Sequence, residues 1–159
     1  KIMVVGDVPN STDDGRGTPF HGKPGKLLRE VLAKFDVDLD HDCWSINALR
    51  CNSSPYPSAA SVGYCRPLSV TDVQELKPEV IILLGRSAIK SIIGWVWKDD
   101  VGEGGGEGTG RTRWDGWQIP CQELNCFLCP TWHPSDLAWQ EGARDYPVLE
   151  LWFQRQILL

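Results

Sequence analysis

Short apolar runs recur along the chain at residues 2–6 (IMVVG), 43–49 (CWSINAL), 80–85 (VIILLG) and 126–131 (CFLCPT). Each has the length of a strand, and their nearly continuous apolar character predicts strands buried on both faces, as in a parallel sheet. Between them the period changes. Residues 26–35 (KLLREVLAKF) place Leu27, Leu28, Val31, Leu32 and Phe35 at helical spacing with charges between, which predicts an amphipathic helix. Residues 69–77 (SVTDVQELK) read as a second helix, capped by Ser69 or Thr71 and ended by Pro78, and 86–93 as a third. Residues 145–158 read as a last helix through Leu149, Trp152, Phe153 and Ile157. Two stretches show no period. Residues 51–65 form a Pro/Ser-rich segment bracketed by cysteines, read as a loop, and 95–117 form an irregular, glycine-rich insertion.

The alternation of strands and helices, joined by right-handed crossovers, predicts an α/β fold: a three-layer α/β/α sandwich around a central four-stranded, mostly parallel sheet. At 159 residues the chain is expected to be a single domain spanning 1–159. A start on Lys1 inside a strand leads to the expectation that it is a piece of a longer protein. Such sheets bind ligands at the carboxyl ends of their strands. Four features of this chain fall there: Asp7 after the first strand, Asn47 near the end of the second, the 85–88 turn after the third, and His133 just beyond the fourth. The first strand also opens into a long polar segment, DVPNSTDDGRGTPFHGKPG, with one aromatic, Phe20. Each of these residues has an ordinary structural use: Asp7 as a cap, His133 in the core, Phe20 as a plug, Asn47 on turn backbone. Their convergence on one sheet edge is what favours a site.

Composition narrows the chemistry. The net charge of −5 is not that of a protein that coats nucleic acid, although it leaves room for a local basic face. No apolar stretch approaches the ~20 residues of a membrane helix, so no membrane partner is expected. The cysteines at 43, 51, 65, 121, 126 and 129 read as reduced thiols or metal ligands before disulfides. Cys43, Cys126 and Cys129 lie in or beside apolar runs. In a strand, residues 126 and 129 point to opposite faces, so a core role is preferred over zinc. The dinucleotide fingerprint is absent. Gly17-Thr-Pro-Phe-His-Gly22-Lys23 approaches a P-loop, but Pro24 stands where Ser or Thr must reach the metal. No G-x-S-x-G elbow is present either.

Residues 6–25, GDVPNSTDDGRGTPFHGKPG, resemble the first motif of the family 4 (iron–sulfur) uracil-DNA glycosylases, Gly-Glu-x-Pro-Gly, an acidic pair, then Gly-x-Pro-Phe-x-Gly-x-x-Gly. INALRC (46–51) is similar to that family's Asn-bearing strand ending in Lys-Cys, and Cys65-Arg66-Pro67 to its later Cys-Arg-Pro. PEVIILLGRSAIKSIIG (78–94) resembles its third strand and turn, and PTWHPSDL (130–137) its Pro-Thr-x-His-Pro-Ser-x-Leu signature. The resemblance implies a DNA-repair hydrolase that cleaves the N-glycosidic bond of uracil, or a related deaminated base, flipped out of single- or double-stranded DNA. It implies catalytic roles for Asp7, on the sugar and the attacking water, and for His133, on uracil O2. Base contacts are implied for Phe20 by stacking, Asn47 by its amide, Asp13 near the C5 edge, and Gly6 and Val8 around the acid. Arg86, Ser87 and Ser135 are implied to hold the DNA backbone.

The resemblance also implies a [4Fe–4S] cluster, for which Cys51 and Cys65 match two ligands and two more are expected upstream of Lys1; no other cofactor is implied. A monomer, or one domain of a larger protein, in the cytoplasm of a prokaryotic or viral setting and associated with the nucleoid, completes the expectation. The chain departs from the family pattern in places. Asp7 replaces Glu and is one methylene shorter; Asn10 replaces a loop Gly; and DLAWQEG (136–142) lacks the Arg that often wedges the duplex, leaving Leu137 or Trp139 for that place. These departures keep a second reading in play: a catalytically weak, glycosylase-like DNA-binding module fused to a larger replication or repair protein.

Overall fold

The structure is a computed structural model that describes residues 1–52, 57–98 and 113–138, together with Phe153 and Arg155. The elements run β1 (Ile2–Gly6), α1 (Ser11–Arg16), α2 (Gly22–Ala33), β2 (Cys43–Asn47), α3 (Ala59–Leu76), β3 (Val80–Leu84), α4 (Arg86–Val96), β4 (Ile119–Cys121), β5 (Cys126–Thr131) and α5 (Pro134–Ala138). The sheet has five strands in the order β2-β1-β3-β5-β4, parallel except for the β4–β5 pair. The expected sheet had four. The additional strand, β4, is only three residues long, carries Pro120 and lies at the edge, where a missing N–H breaks no internal ladder. So short a strand leaves no readable period in the sequence.

Alternation along the buried strands divides the core into two layers. Met3, Val5, Ile81 and Leu83 pack on one face with Val62 and Val73 of α3 and Ile89 and Ile92 of α4. Val4, Ile82 and Leu84 pack on the other with Leu28, Val31 and Leu32 of α2, Leu137 of α5 and Phe153. Each such fully buried aliphatic side chain contributes about 1.5–3 kcal/mol. Cys126 belongs to the first layer, whereas Cys129 pairs in register with Ile82 of the second face. The two thiols therefore do point opposite ways. Burial raises them to about 12 and about 11 respectively, and the partly buried Cys43 to about 11, which leaves them protonated, as packed core groups are.

Three expectations are corrected. The segment 51–65 is not all loop: α3 begins at Ala59, capped by Ser58, and runs unbroken through Cys65 and Pro67 to Leu76. The helix expected over 69–77 is its second half. Pro67 reads as a breaker in the sequence, and α3 has no single apolar face to outweigh that reading. The polar segment after β1 holds a short helix, α1, with Asn10 accepting from the Thr12 and Asp13 amides and Asp13 reaching back to the Asn10 amide. This is a capping box in which Asn replaces the usual Ser or Thr; it accounts for Asn10 where the resembling family has Gly. Finally, α4 continues to Val96, past the expected start of the irregular insertion. Residues 99–112 of that insertion, Trp139, and most of the helix expected over 145–158 lie outside the described residues, although Phe153 and Arg155 are both helical.

Candidate active site

Register brings the site residues together. Gly6 at the end of β1 pairs with Asn47 at the end of β2, and Leu84 at the end of β3 pairs with Thr131 at the end of β5. Asp7 follows β1 directly and His133 lies two residues past β5, so the carboxyl ends of four neighbouring strands carry the candidate chemistry.

Gly6 is the floor. A methyl placed there would lie 2.5 Å from Asn47 Oδ1 and 2.8 Å from Phe20 Cε1, so the Asn47 amide and the Phe20 ring both close over this backbone. Only glycine admits that approach. Asn47 and Phe20 are buried. Phe20 occupies left-handed backbone, φ 64°, and its carbonyl presses so closely on α2 that a Cβ at Gly25 would fall 1.6 Å from it. Asp13 is also buried. One of its oxygens accepts from the Asn10 amide at 3.1 Å and the other from the His21 amide at 2.7 Å. Its carboxylate is thus committed to the backbone on either side of Phe20.

Asp7 lies at the amino end of α4. Its Oδ1 accepts from the Ser87 amide at 2.7 Å and the Ala88 amide at 3.0 Å, and the Arg86 amide also contributes. Gly85, the N-cap, has φ 94° and no side chain to serve these amides; Asp7 reaches across from β1 to do so. A Cβ at Gly85 would come within 2.3 Å of Asp7 Oδ2. Burial raises the Asp7 carboxyl from 3.8 to about 6, against the lowering effect of the amides. The structural use open to Asp7, as a cap, is therefore realised at the start of α4.

His133 is fixed by the residues that follow it. Its Nδ1 accepts from the Ser135 amide at 3.2 Å and lies 2.6 Å from Ser135 Oγ, while its carbonyl accepts from the Asp136 amide at 2.9 Å. A backbone N–H can only donate, so Nδ1 is an acceptor and the neutral ring carries its proton on Nε2. Burial lowers the His133 pKa, while the negative charges of Asp136 and Asp13 oppose that shift. A neutral imidazole with its proton on Nε2 results.

The remaining candidates separate. Val8 packs against the first core layer, Ser87 is buried with its amide on Asp7, and Arg86 opens α4 beside it. Ser135 is engaged with His133. Leu137 is buried in the second core layer, so it is not available as a wedge for the duplex.

The profile of the uracil DNA glycosylase superfamily matches residues 1–155. The chain belongs to this superfamily. It is 28% identical over 136 residues to the type-4 uracil-DNA glycosylase of Pyrobaculum aerophilum, covering 84% of this chain and 66% of that one. To the type-4 enzyme of Archaeoglobus fulgidus it is 34% identical over 94 residues, 58% of this chain and 47% of the relative. To that of Sulfurisphaera tokodaii it is 26% identical over 147 residues, 91% and 64% of the two chains. The chain thus spans two thirds or less of the length of these relatives.

In this superfamily member Cys51 is exposed and Cys65 is buried in α3. Arg50, next to Cys51, pairs with Asp72 of that same helix. Among the described residues no group of three or more His, Cys, Asp or Glu side chains is placed to hold a metal ion. Two thiols do not by themselves complete a four-thiolate cluster site. Among the described residues no helix is long and apolar enough to cross a membrane. Arg29 and Asp40, which tie down the Phe20 carbonyl, carry no motif or spacing that marks them in the sequence. Only Asn10 and Asp13, three apart ahead of a helix, carried a signal that could have been read.

Proposed function

We propose that this domain excises uracil, or a related deaminated base, from DNA. The observation that carries this reading is the convergence over Gly6 of the Phe20 ring and the Asn47 amide, with Asp7 next in the chain and a neutral His133 just beyond the carboxyl end of β5. In this reading the flipped base stacks on Phe20. The Asn47 amide accepts from uracil N3–H and donates to O4, a pattern cytosine does not meet, and buried polar groups reject mismatched partners strongly. As the C1′–N1 bond breaks, its electron pair passes to the uracil ring and charge gathers on O2, where the His133 Nε2–H donates. Asp7, ionised above about pH 6, faces the positive sugar and orients the water that adds to C1′, taking its proton. Val8, next to the acid, is a further base contact in this reading, and Asp13 acts by holding the Phe20 segment near the C5 edge. Arg86, with Ser87 and Ser135, lies where the phosphates of the kinked strand pass.

A second reading has one specific observation behind it. Asp7, shorter than Glu, is drawn onto the α4 amides, which leaves Oδ2 as the oxygen for water. A weak or inactive glycosylase-like DNA-binding module within a larger repair protein follows if that oxygen does not suffice. Either form acts as a monomer or one domain, in the cytoplasm with the nucleoid. Cys51 and Cys65 are proposed as two ligands of a [4Fe–4S] cluster whose other two thiolates come from elsewhere in the protein. Absorbance in the visible charge-transfer region of the full-length protein tests that, and a colourless protein refutes it.

The activity is tested by incubating the protein with single-stranded and duplex oligonucleotides holding one uracil, then cleaving abasic sites with alkali. Strand breaks dependent on uracil support excision. Binding without breaks transfers the case to the second reading, and neither binding nor breaks overturns both.

A further inference from the structure

Left-handed backbone costs a non-glycine residue roughly 1–2 kcal/mol, so Phe20 stays there only if its surroundings hold it. On one side the Asp13 carboxylate holds the next amide, that of His21. On the other, Arg29 Nη1 donates to the Phe20 carbonyl at 2.7 Å and to the Gly25 carbonyl at 3.2 Å. The rest of the guanidinium is aimed by Asp40: Nε donates to Oδ2 at 2.8 Å and Nη2 to Oδ1 at 2.6 Å. A planar fork gripped on two nitrogens has little freedom left for its third. Behind the 18–21 segment lies an open cleft of about 280 Å³, bordered by Thr18, Pro19, His21, Leu39 and Trp44. The polar ties thus fix the backbone on both sides of a ring that is itself buried in the second core layer.

We infer that the Arg29–Asp40 pair positions the base-stacking ring: Asp40 aims Arg29, and Arg29 fixes the Phe20 carbonyl and with it the aromatic plane over Gly6. The inference rests on Phe20 being the stacking platform of the function proposed above. Arg29 is a positioning residue, since it reaches Phe20 through the backbone. Both partners of the pair keep solvent access, so its contribution to global stability is small and its effect falls on the ring's placement, to which catalytic sites are sensitive at the ~1 Å level.

The test measures the preference for uracil as a ratio: the affinity for a duplex holding one 2′-fluoro-2′-deoxyuridine, which resists hydrolysis, over that for the same duplex with thymidine. Wild type, Arg29→Ala, Phe20→Ala and the double variant are compared, each checked by thermal denaturation. Arg29→Ala is expected to lower the ratio about tenfold while leaving the affinity for the thymidine duplex and its salt dependence unchanged. In the Phe20→Ala background it is expected to lower the ratio no further, because a residue that acts through Phe20 has nothing left to act through. An unchanged ratio in Arg29→Ala overturns the inference. So does a loss that adds to that of Phe20→Ala, or a reduced salt slope, which marks a phosphate contact instead. If Arg29→Ala does not fold, Asp40→Asn carries the test, with a drop of about threefold expected on the same reasoning and no drop overturning it. A wild type with no preference for uracil fails differently: it removes the proposed function, and the positioning role falls with it.

Discussion

Replacing Asp7 by Asn separates what this side chain does for the fold from what it does for the site. Asn keeps an oxygen for the Ser87 and Ala88 amides but carries no charge. The native carboxyl is raised from 3.8 to about 6 because burial penalises its charged form more than the amides favour it. An acid whose folded pKa lies above its unfolded one adds stability that is present below the unfolded value and lost as pH rises through the folded value. The wild type therefore loses stability, relative to Asp7→Asn, between about pH 4 and pH 7. A shift of this size corresponds to about 3 kcal/mol at most, and the solvent contact that Asp7 retains reduces it to roughly 1–2 kcal/mol. Urea denaturation of both proteins at half-unit steps from pH 4 to pH 8 reads the difference directly. The expected curve rises with pH and levels off above about pH 7. A difference that is flat or falls with pH refutes the assignment of a buried, high-pKa carboxylate. Excision measured in parallel is expected to fall by a few orders of magnitude. The pairing of gained stability with lost activity is the signature of a residue kept for chemistry.

Four further outcomes follow from the same geometry. Ser135→Ala removes the hydroxyl beside His133 Nδ1 but keeps the amide; a loss of about tenfold in excision is expected, against 10²–10³ for His133→Ala, read from single-turnover rates. Because the His133 pKa is lowered, its neutral form is stabilised in the fold, and that stability is present above the unfolded value of 6.5 and is lost as pH falls below it; denaturation of wild type and His133→Ala at pH 5 and pH 8 checks the sign. Gly6→Ala forces its methyl against Asn47 and Phe20 and is expected to cost about 1–3 kcal/mol and to abolish uracil-specific binding, measured with the 2′-fluoro duplex. Asn10→Ala removes the α1 cap; a loss of about 1 kcal/mol is expected, read from the urea midpoint.

How legible the site was depended on what each residue needs. Asp7, Asn47 and His133 could be placed because strand ends are visible in the apolar pattern, and parallel strands bring their carboxyl ends to one edge. The 51–65 segment reads as a loop because two prolines and several serines outweigh a helix that has no apolar stripe. Strand β4 was too short to show a period, and its place at the edge is set by pairing with β5 alone.

By itself, then, the sequence determined the α/β architecture, the strand ends that carry the candidate residues, and the motif residues along 6–25 and 130–137. These are local patterns, written in neighbouring residues. The tertiary structure alone decided that Asp7 serves α4 across 80 residues, that Asp13 is committed to backbone on both sides of Phe20, and that Arg29 and Asp40 grip that residue's carbonyl. Contacts between positions so far apart leave no period and no spacing in one chain; they exist only once the sheet has set its register and brought the loops above it into reach of one another.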